Sequence, residues 1–361
     1  MKLSNQNILF LTRTMKIGGT ENVVLQLCEI LNPIVNKIIV CSCGGVNVDK
    51  LVSMGIKHYK IPDIACKTPS VILQTCCQIG KIIKDENITV NHSHHRMASL
   101  YAEVVAPRCI MKIANAHNTF YDKKILTRIA YKNTKLIAVG EMVKSNLTGY
   151  FEIPDQQVTL IHNAVKEFNG NIQTIDVIKE ERNLGHILIG NIGRLSEQKG
   201  MQYFIEAAEI VVKSHPETRF VIVGDGEEKE KLVKMVESNN MKEHFIFLGY
   251  RSDIQNVISQ LDFIVLSSLW EGLPLTPIEA FSVGKTVIGT AVDGTSEIIR
   301  DDVDGYLVEP RNPEQIADKI NYLIENPEIR MELEKQARQK YLDEFSFDKL
   351  AQSYVEFYQN L

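Results

Sequence analysis

Short apolar runs separated by segments with helical spacing recur along the chain, and this rhythm constrains the fold most. In the second half, such a run returns every ~20–35 residues, and between most runs lies a segment whose apolar residues repeat with period 3.6. Strand, helix and strand in alternation predict βαβ units and a parallel sheet covered on both faces. The predicted strands are His186–Asn191, Arg219–Val223, His244–Leu248, Asp262–Leu266, Thr286–Gly289 and Tyr306–Val308, with helices at Met201–Val212, Glu227–Ser238, Asp253–Gln260 and Thr276–Val283.

The first half has the same rhythm with less regular spacing. Its predicted strands are Ile8–Leu11, Ile38–Cys41, Lys57–Ile61, Thr89–His92, Met111–Ala114 and Leu136–Val139, and its predicted helices are Thr20–Leu31, Pro69–Lys84, Met97–Ala106 and Glu141–Tyr150. A chain of 361 residues is comfortable for two domains. We therefore expect an α/β protein of two Rossmann-like doubly wound domains, with the polar segment Lys166–Asn183 as linker. The carboxyl ends of the two sheets are expected to face across a cleft, where ligands of such sheets bind.

The distribution of charged residues and the cysteine content indicate which partners and which cellular compartment suit the protein. Residues 1–165 carry 19 Lys or Arg and 11 Asp or Glu, a net of +8, whereas residues 166–361 carry 21 and 34, a net of −13. A basic first half predicts an anionic partner there, either a membrane surface or a phosphate-bearing acceptor, although scattered solvated lysines would give the same count. The seven cysteines form no CxxC pair and are typical of a cytoplasmic protein. No apolar run approaches the ~20 residues that span a bilayer.

The segment from Asn191 to Gly200 has the composition of a phosphate site. A strand ends in a turn at Gly193, Arg194 and Lys199 follow, and a helix is expected to begin near Gly200. Glycines allow close backbone approach, a helix N-terminus favours anions, and Arg and Lys together suit a diphosphate. The alternative is two ordinary surface cations in a loop.

A second segment, Trp270–Gly284, follows the predicted strand Asp262–Leu266. Thr276 to Glu279 has the pattern of a capping box, with Thr276 at the N-cap and Glu279 at the third helical position. That reading explains Glu279 but not Glu271. Alternatively, the two carboxylates accept hydrogen bonds from sugar and ribose hydroxyls.

Glycine turns follow two other strands. Gly18 and Gly19 precede a helix that is expected to be capped by Thr20 or Glu21. The two glycines would allow a phosphate or a sugar to approach the backbone, or they are ordinary loop residues. The pattern is not a full GxGxxG, so a dinucleotide is not expected. Gly224, in Val223–Glu228, is expected in a tight turn.

Three histidines lie near the predicted strand ends. His92 and His94 alternate on one face, and His117 follows the strand Met111–Ala114. A metal site of these three is conceivable, but no carboxylate or thiolate spacing supports it. A hydrogen bond from His117 to a sugar hydroxyl is the preferred interpretation, because imidazole both donates and accepts.

Taken in order, these motifs resemble the group 1, or family 4, retaining glycosyltransferases. The resemblance rests on Gly193–Leu195, Lys199–Gly200, Val223–Gly226, Leu248–Gly249, Glu271–Leu275 with Glu279–Ala280, Asp293–Glu297 and Asp304–Val308. It implies the GT-B fold, with an acceptor-binding domain at 1–167, a nucleotide-sugar-binding domain at 184–345 and a C-terminal helix, 346–361, that packs back on the first domain.

The resemblance also implies roles for single residues. Arg194 and Lys199 would neutralise the donor diphosphate, Glu271 would contact the transferred sugar, and His117 would bond a sugar hydroxyl. The donor would be held by Gly18, Gly19, Gly193, Gly224, Gly272, Leu273, Pro274, Leu275 and Glu279. Front-face transfer with retention would follow, in which the leaving phosphate assists deprotonation of the acceptor hydroxyl.

The implied activity is transfer of a hexose or N-acetylhexosamine, without a metal or other cofactor, from a UDP-sugar more than a GDP-sugar. The acceptor would be a glycan or polyprenyl-linked molecule in cell-surface polysaccharide synthesis at the cytoplasmic membrane face, and no nucleic-acid partner is expected. Two alternatives remain: a non-catalytic sugar-nucleotide-binding subunit, and a sugar-nucleotide epimerase of the same fold.

Overall fold

A computed structural model describes residues 2–16, 18–168 and 170–361, which divide into two compact units. Unit 1 comprises residues 1–163 and 350–361, and unit 2 comprises residues 164–349. The chain thus leaves unit 1 once and returns to it near the C-terminus. Among the described helices, none is both long and apolar enough to cross a membrane.

Unit 1 is built on a parallel sheet of seven strands in the order β3-β2-β1-β4-β5-β6-β7. The strands are β1 (Asn7–Leu11), β2 (Lys37–Ser42), β3 (Lys57–Lys60), β4 (Val90–Ser93), β5 (Met111–Ala116), β6 (Lys135–Ala138) and β7 (Val158–Leu160). Its helices are α1 (Gly19–Leu31), α2 (Val48–Ser53), α3 (Pro69–Asp85), α4 (Arg96–Val105), α5 (Lys124–Tyr131) and α6 (Glu141–Ser145). The strand order places the topological switch between β1 and β4, where sheets of this kind bind ligands.

Unit 2 repeats the design with six parallel strands in the order β10-β9-β8-β11-β12-β13. The strands are β8 (Ile187–Ile192), β9 (Thr218–Val223), β10 (Phe245–Gly249), β11 (Phe263–Leu266), β12 (Val287–Thr290) and β13 (Gly305–Val308). The helices are α7 (Asp176–Asn183), α8 (Met201–Val211), α9 (Lys229–Ser238), α10 (Ile254–Ser259), α11 (Leu275–Ser282), α12 (Asp293–Ile298), α13 (Pro313–Glu325) and α14 (Pro327–Lys340).

Side chains alternate between two buried faces of the unit 2 sheet, as the period of a strand requires. In β9, Phe220 and Ile222 join one apolar core, whereas Val221 and Val223 join the core on the opposite face. Both faces are covered by helices, so these strands are continuous apolar runs.

The final helix, α15 (Phe347–Gln359), carries its last residues into unit 1. Tyr354 and Tyr358 are fully buried there. The Asn115 amide donates to the Tyr354 hydroxyl at 2.6 Å, and the Tyr358 hydroxyl lies 2.7 Å from Nδ1 of His92. Polar contacts as well as apolar packing therefore hold this helix on the first sheet.

Three local expectations were wrong. Helix α11 begins at Leu275 with Pro274 in the N-cap position and no side-chain cap, so Thr276 lies inside the helix and the capping box does not form. Helix α1 begins at Gly19, before Thr20 and Glu21, and has no side-chain cap either. The segment expected to be the linker, Lys166–Asn183, belongs to unit 2 and contains α7.

Candidate active site

The loop after β8 in unit 2 carries two cations and is fixed by close backbone packing. A 3₁₀ turn at Glu197–Lys199 ends at Gly200, which has φ +55° and begins α8. A Cβ at Gly200 would lie 2.3 Å from the carbonyl oxygen of Ser267, so this position requires glycine for its conformation and for space. The turn after β8 is thereby held against the loop that follows β11.

Lys199 joins those two loops through an ion pair. Its Nζ lies 2.5 Å from Oε1 of Glu271, and the same oxygen accepts a hydrogen bond of 2.6 Å from the Ser268 hydroxyl. The Gln198 amide donates to the carbonyl of Trp270 at 2.9 Å. Both charged side chains are largely buried, so their positions are well defined.

Arg194 contrasts with Lys199 in exposure. Its side chain is 73 % exposed, and its guanidinium reaches one partner, Glu227 of the turn after β9, at 3.1 Å. The pKa of Glu227 is lowered chiefly by a backbone hydrogen bond, with Arg194 adding to the effect. An exposed guanidinium at the end of a parallel strand retains donors for an incoming anion.

Gly224 brings the turn after β9 against the turn after β8. It has φ +141°, and a Cβ there would lie 1.9 Å from the carbonyl oxygen of Gly193. No other residue type fits that approach. Gly193 in turn lies beneath the Lys199 side chain, whose Cε would be 3.2 Å from an added Cβ.

Glu279 lies within α11, half-buried, where burial raises its pKa to about 7 and the nearby Lys199 opposes the rise. The side chains at the start of α11 and just before it point inward. Leu273 and Leu275 pack on the core, and Pro274 is buried. A Cβ at Gly294 would lie 1.7 Å from the Gly272 carbonyl oxygen, so this loop also packs tightly on α12. What the loop from Gly272 to Leu275 offers to a ligand is mainly backbone.

In unit 1, His117 lines a pocket of about 290 Å³ at the carboxyl ends of β4 and β5. Its Nε2 lies 3.3 Å from Nδ1 of His94. Burial, with a smaller contribution from the positive charge of His95, lowers the pKa of His117 to about 4. The imidazole is therefore neutral at pH 7 and can donate or accept. Other residues lining the pocket are Thr20, Lys67, His94, Arg96, Asn118 and Lys123.

His92 has no nitrogen left for a metal. Its Nε2 donates to the Asn115 side-chain oxygen at 2.7 Å, so its Nδ1 accepts from the Tyr358 hydroxyl. Within residues 2–16, 18–168 and 170–361, no group of three His, Cys, Asp or Glu side chains is arranged to hold a metal ion. The alternative of a histidine metal site thus receives no support from the geometry.

Gly18 directly precedes α1, and Gly19 is the first residue of that helix. The next residue, Thr20, lines the pocket that contains His117. Ile17 lies outside the described residues. A Cβ at Gly19 would meet no atom within 4 Å, so packing does not explain why glycine stands there. The Glu21 carboxylate turns back to accept a hydrogen bond from the Thr14 hydroxyl.

Several residues that shape these sites were not singled out from the sequence. Ser268 and Gln198 hold Glu271 and its loop, and the serine could have been found as a polar residue directly after an apolar strand. Asn115, near the end of β5, lines the pocket of unit 1. Its signal was the same, a polar side chain at the carboxyl end of a parallel strand.

Comparison with known proteins adds the decisive observation. Residues 173–340 match the family model described as glycosyl transferases group 1, and residues 17–167 match the one described as glycosyltransferase family 4. The two matches together span most of both units. The chain belongs to the group 1 (family 4) glycosyltransferases.

This glycosyltransferase resembles named members over nearly its full length. It is 25 % identical to the UDP-Gal:alpha-D-GlcNAc-diphosphoundecaprenol alpha-1,3-galactosyltransferase of Escherichia coli, over 94 % of each chain. A solved glycosyltransferase from Rickettsia africae ESF-5 superposes with a TM-score of 0.87 at 22 % identity, covering 99 % of this chain and 98 % of that one.

A second solved structure, Anabaena Alr3699/HepE in complex with UDP, superposes with a TM-score of 0.85 at 19 % identity, covering 99 % of this chain and 100 % of that one. At such identities the solved structures establish the fold, which is GT-B, two parallel-sheet Rossmann-like domains.

Proposed function

We propose that this glycosyltransferase moves a hexose or N-acetylhexosamine from a UDP-sugar to a lipid-linked or glycan acceptor, with retention of configuration, in cell-surface polysaccharide synthesis at the cytoplasmic membrane face. The observation that carries the proposal is the cation pair at the carboxyl edge of the unit 2 sheet. Exposed Arg194 and partly buried Lys199 stand beside glycine turns that admit backbone close to a ligand. The names of the Anabaena and Escherichia coli proteins, with UDP and UDP-Gal, support uridine as the base.

In this proposal unit 2 holds the donor and stabilises the leaving group. Arg194 and Lys199 neutralise the charge that develops on the diphosphate as the anomeric carbon–oxygen bond breaks. The acceptor hydroxyl attacks the same face of the sugar, and its proton passes to the departing phosphate oxygen. When Lys199 turns toward phosphate, Glu271 is released to accept hydrogen bonds from sugar hydroxyls. Glu279 accepts from the ribose, and Gly193, Gly224 and the backbone from Gly272 to Leu275 approach the donor.

Unit 1 is proposed to bind the acceptor. Gly18 and Gly19 let the donor phosphate or sugar approach the backbone. This role would explain the glycine at position 19, where an added Cβ would meet no other atom within 4 Å. Neutral His117 bonds a hydroxyl of the transferred sugar from the pocket beside α4. The charges lining that pocket, Lys67, Arg96 and Lys123, suit an acceptor that carries phosphate.

The test is calorimetric titration with UDP and GDP without divalent metal, followed by transfer assays with the sugars of the base that binds. We expect UDP to bind, and Arg194→Ala or Lys199→Ala to lower kcat about 100-fold or more, as loss of one charge-stabilising donor does elsewhere. Lys335→Ala is the matched control, because Lys335 is an exposed cation of unit 2 whose ion pair, with Glu332, lies on α14. Proton NMR of the product's anomeric position tests retention.

Each contrary result has a definite meaning. Failure to bind either nucleotide diphosphate, with or without metal, would overturn the donor site and with it the proposed transferase. Conversion of the donor sugar to its epimer in the absence of any acceptor would favour the epimerase. Near-normal transfer by both alanine variants would remove the roles given to Arg194 and Lys199.

A further inference from the structure

Helix α5 of unit 1 presents apolar side chains to solvent. Its buried side chains are Thr127, Ala130 and Tyr131, whereas Ile125 is 78 % exposed and Ile129 49 % exposed. Residues 125, 128, 129 and 132 share one stripe of the helix, because three- and four-residue spacings fall on one face. Two isoleucines of this short helix are therefore exposed on one face, so water is not the environment that this face fits best.

The same stripe is basic. We define the α5 face as Tyr121, Ile125, Arg128, Ile129 and Lys132, of which all five are exposed. Residues 118–135 include five Lys or Arg and a single Asp. Isoleucines flanked by cations, with an aromatic ring at one end, are the composition of helices that lie in the headgroup region of a bilayer.

The nearby carboxylates do not cancel this charge. Asp122 is paired with Arg96 at 2.8 Å, and Glu152 lies between Lys124 at 2.7 Å and Arg128 at 2.9 Å. Counting both acids, cations remain in excess on this side of unit 1. A second copy of the chain docking here by twofold symmetry would oppose two identical basic faces, which electrostatic repulsion disfavours.

We propose that the α5 face docks on the anionic surface of a lipid bilayer, with Ile125 and Ile129 entering the headgroup boundary and Arg128 and Lys132 contacting lipid phosphates. The inference extends the proposed function, since a lipid-linked acceptor lies in a membrane. Docking itself requires neither donor nor transfer, so it is testable separately. Attraction to anionic lipid contributes about fivefold in affinity for each Lys or Arg near the surface.

The experiment is co-sedimentation of the full chain with vesicles of phosphatidylcholine alone and with vesicles that also contain about 30 mol % phosphatidylglycerol, which supplies a negative surface. We expect binding to the anionic vesicles that weakens with added salt, and little binding to neutral ones. Ile125→Asn/Ile129→Asn should lower the affinity about tenfold or more, because the variant loses the burial of two isoleucines. Its residual binding should keep its salt dependence.

Arg128→Gln/Lys132→Gln should lower the affinity about 30-fold and flatten the salt dependence, since two cations are lost. Glu152 keeps Lys124 as a partner in this variant. The matched control is Leu184→Asn/Met331→Asn, which removes two apolar side chains of unit 2 that are 70 % and 67 % exposed, and it should bind vesicles like the parent.

Absence of anionic-vesicle binding in the parent, or equal losses in the control pair, would overturn the docking proposal. So would a concentration-dependent dimer that only the isoleucine variant abolishes, because it would identify a second copy as the occupant. UDP calorimetry on the same preparations separates the two proposals. Vesicle binding without UDP binding would retain the docking face and reject the donor site, and the reverse result would do the opposite.

Discussion

The two carboxylates of the unit 2 site differ in their surroundings. Glu271 accepts hydrogen bonds from Lys199 and Ser268, so its charge is compensated where it lies. Glu279 is held in a place whose burial raises its pKa to about 7. A buried carboxylate with a raised pKa lowers the stability of the fold when it is ionised. Proteins often retain such ionisable groups at functional sites.

We predict that Glu279→Gln raises the thermal stability of the protein at pH 8. The folded-state pKa, about 7, lies above the ordinary value, 4.5, so folding favours the protonated form. The contribution of Glu279 to the free energy of unfolding therefore declines as pH rises from about 4.5 to 7, and its full cost is present above 7. Thermal unfolding of parent and variant across pH 4.5 to 8 checks this.

The difference between the two midpoints should grow with pH and level off near pH 8. Glu271→Gln is the control, because it removes a partner of Lys199 and should destabilise the fold at pH 8. A Glu279→Gln variant whose midpoint follows that of the parent in parallel at every pH would contradict the prediction.

Single site residues were predictable where a polar group follows an apolar strand. The positions of Arg194, Lys199 and Glu271 after the strands β8 and β11 were predicted in that way, and their roles in binding stay predictions. Their contacts were not predicted, because the pairing of Lys199 with Glu271 joins loops 72 residues apart and depends on β8 lying beside β11. The capping role of Thr276 was wrong because Pro274 lets the helix begin earlier, at Leu275.

Among the elements, α15 depends on two hydroxyls for its place in unit 1. Tyr358 supplies the donor to Nδ1 of His92, and its side chain is fully buried. If this hydroxyl is removed, the buried Nδ1 has no hydrogen-bond donor, and the desolvation penalty of that nitrogen is no longer compensated.

Tyr358→Phe is expected to lower the free energy of unfolding by about 1–3 kcal/mol, because it leaves His92 Nδ1 unsatisfied in the core. Chemical denaturation followed by circular dichroism measures the change. The control is Tyr250→Phe, since Tyr250 is exposed, and it should change stability little. Equal stabilities for the two variants would mean that the hydroxyl of Tyr358 does not help to hold α15.

Elements with continuous apolar runs were predicted within a residue or two, as for β9 and β11, because both faces of these strands are buried. Strand β7 was missed, since three residues carry little pattern. Helix α5 was missed for a different reason: it has only eight residues, and its isoleucines face outward and not into the core. Helix α7 was missed because it buries a single residue, Ile178.

At the scale of the whole molecule, two histidines of unit 1 and two glutamates of unit 2 respond to acid in opposite directions. In unit 1, burial lowers the pKa of His92 to about 3 and that of His117 to about 4. In unit 2, burial raises the pKa values of Glu279 and Glu334, the latter also against the attraction of Lys285. Protonation of these groups therefore favours unfolding for the two histidines of unit 1 and removes a cost of burial for the two glutamates of unit 2.

Unit 1 should lose stability first as the pH falls from 6.5 toward 4. Below 6.5 the unfolded state binds protons at His92 and His117 that the folded state refuses, so the free energy of unfolding falls by about 1.4 kcal/mol per pH unit for each of them. Hydrogen exchange at pH 7.5 and 5, corrected for intrinsic rates, should show weaker protection of β4 and β5 than of β8 and β9 at the lower pH. Loss of protection in unit 2 first would contradict this.

Two doubly wound domains were predictable from the rhythm of the sequence, because each βαβ repeat is local. The return of α15 to the first sheet was inferable from the family resemblance alone, since nothing in its own pattern identifies the sheet on which Tyr354 and Tyr358 are buried.

That return also sets an order of events during synthesis. Proteins usually fold from the N-terminal domain onward as they leave the ribosome. Here the first unit lacks the partners of Asn115 and His92 until α15 emerges, whereas residues 164–349 of unit 2 have all been translated before it. The second unit can therefore finish folding on the nascent chain while Asn115 and His92 of the first unit still lack their hydrogen-bond partners. A stalled or prematurely terminated polypeptide would carry a completed second unit and an incomplete first unit, which makes the N-terminal unit the part for chaperones to protect.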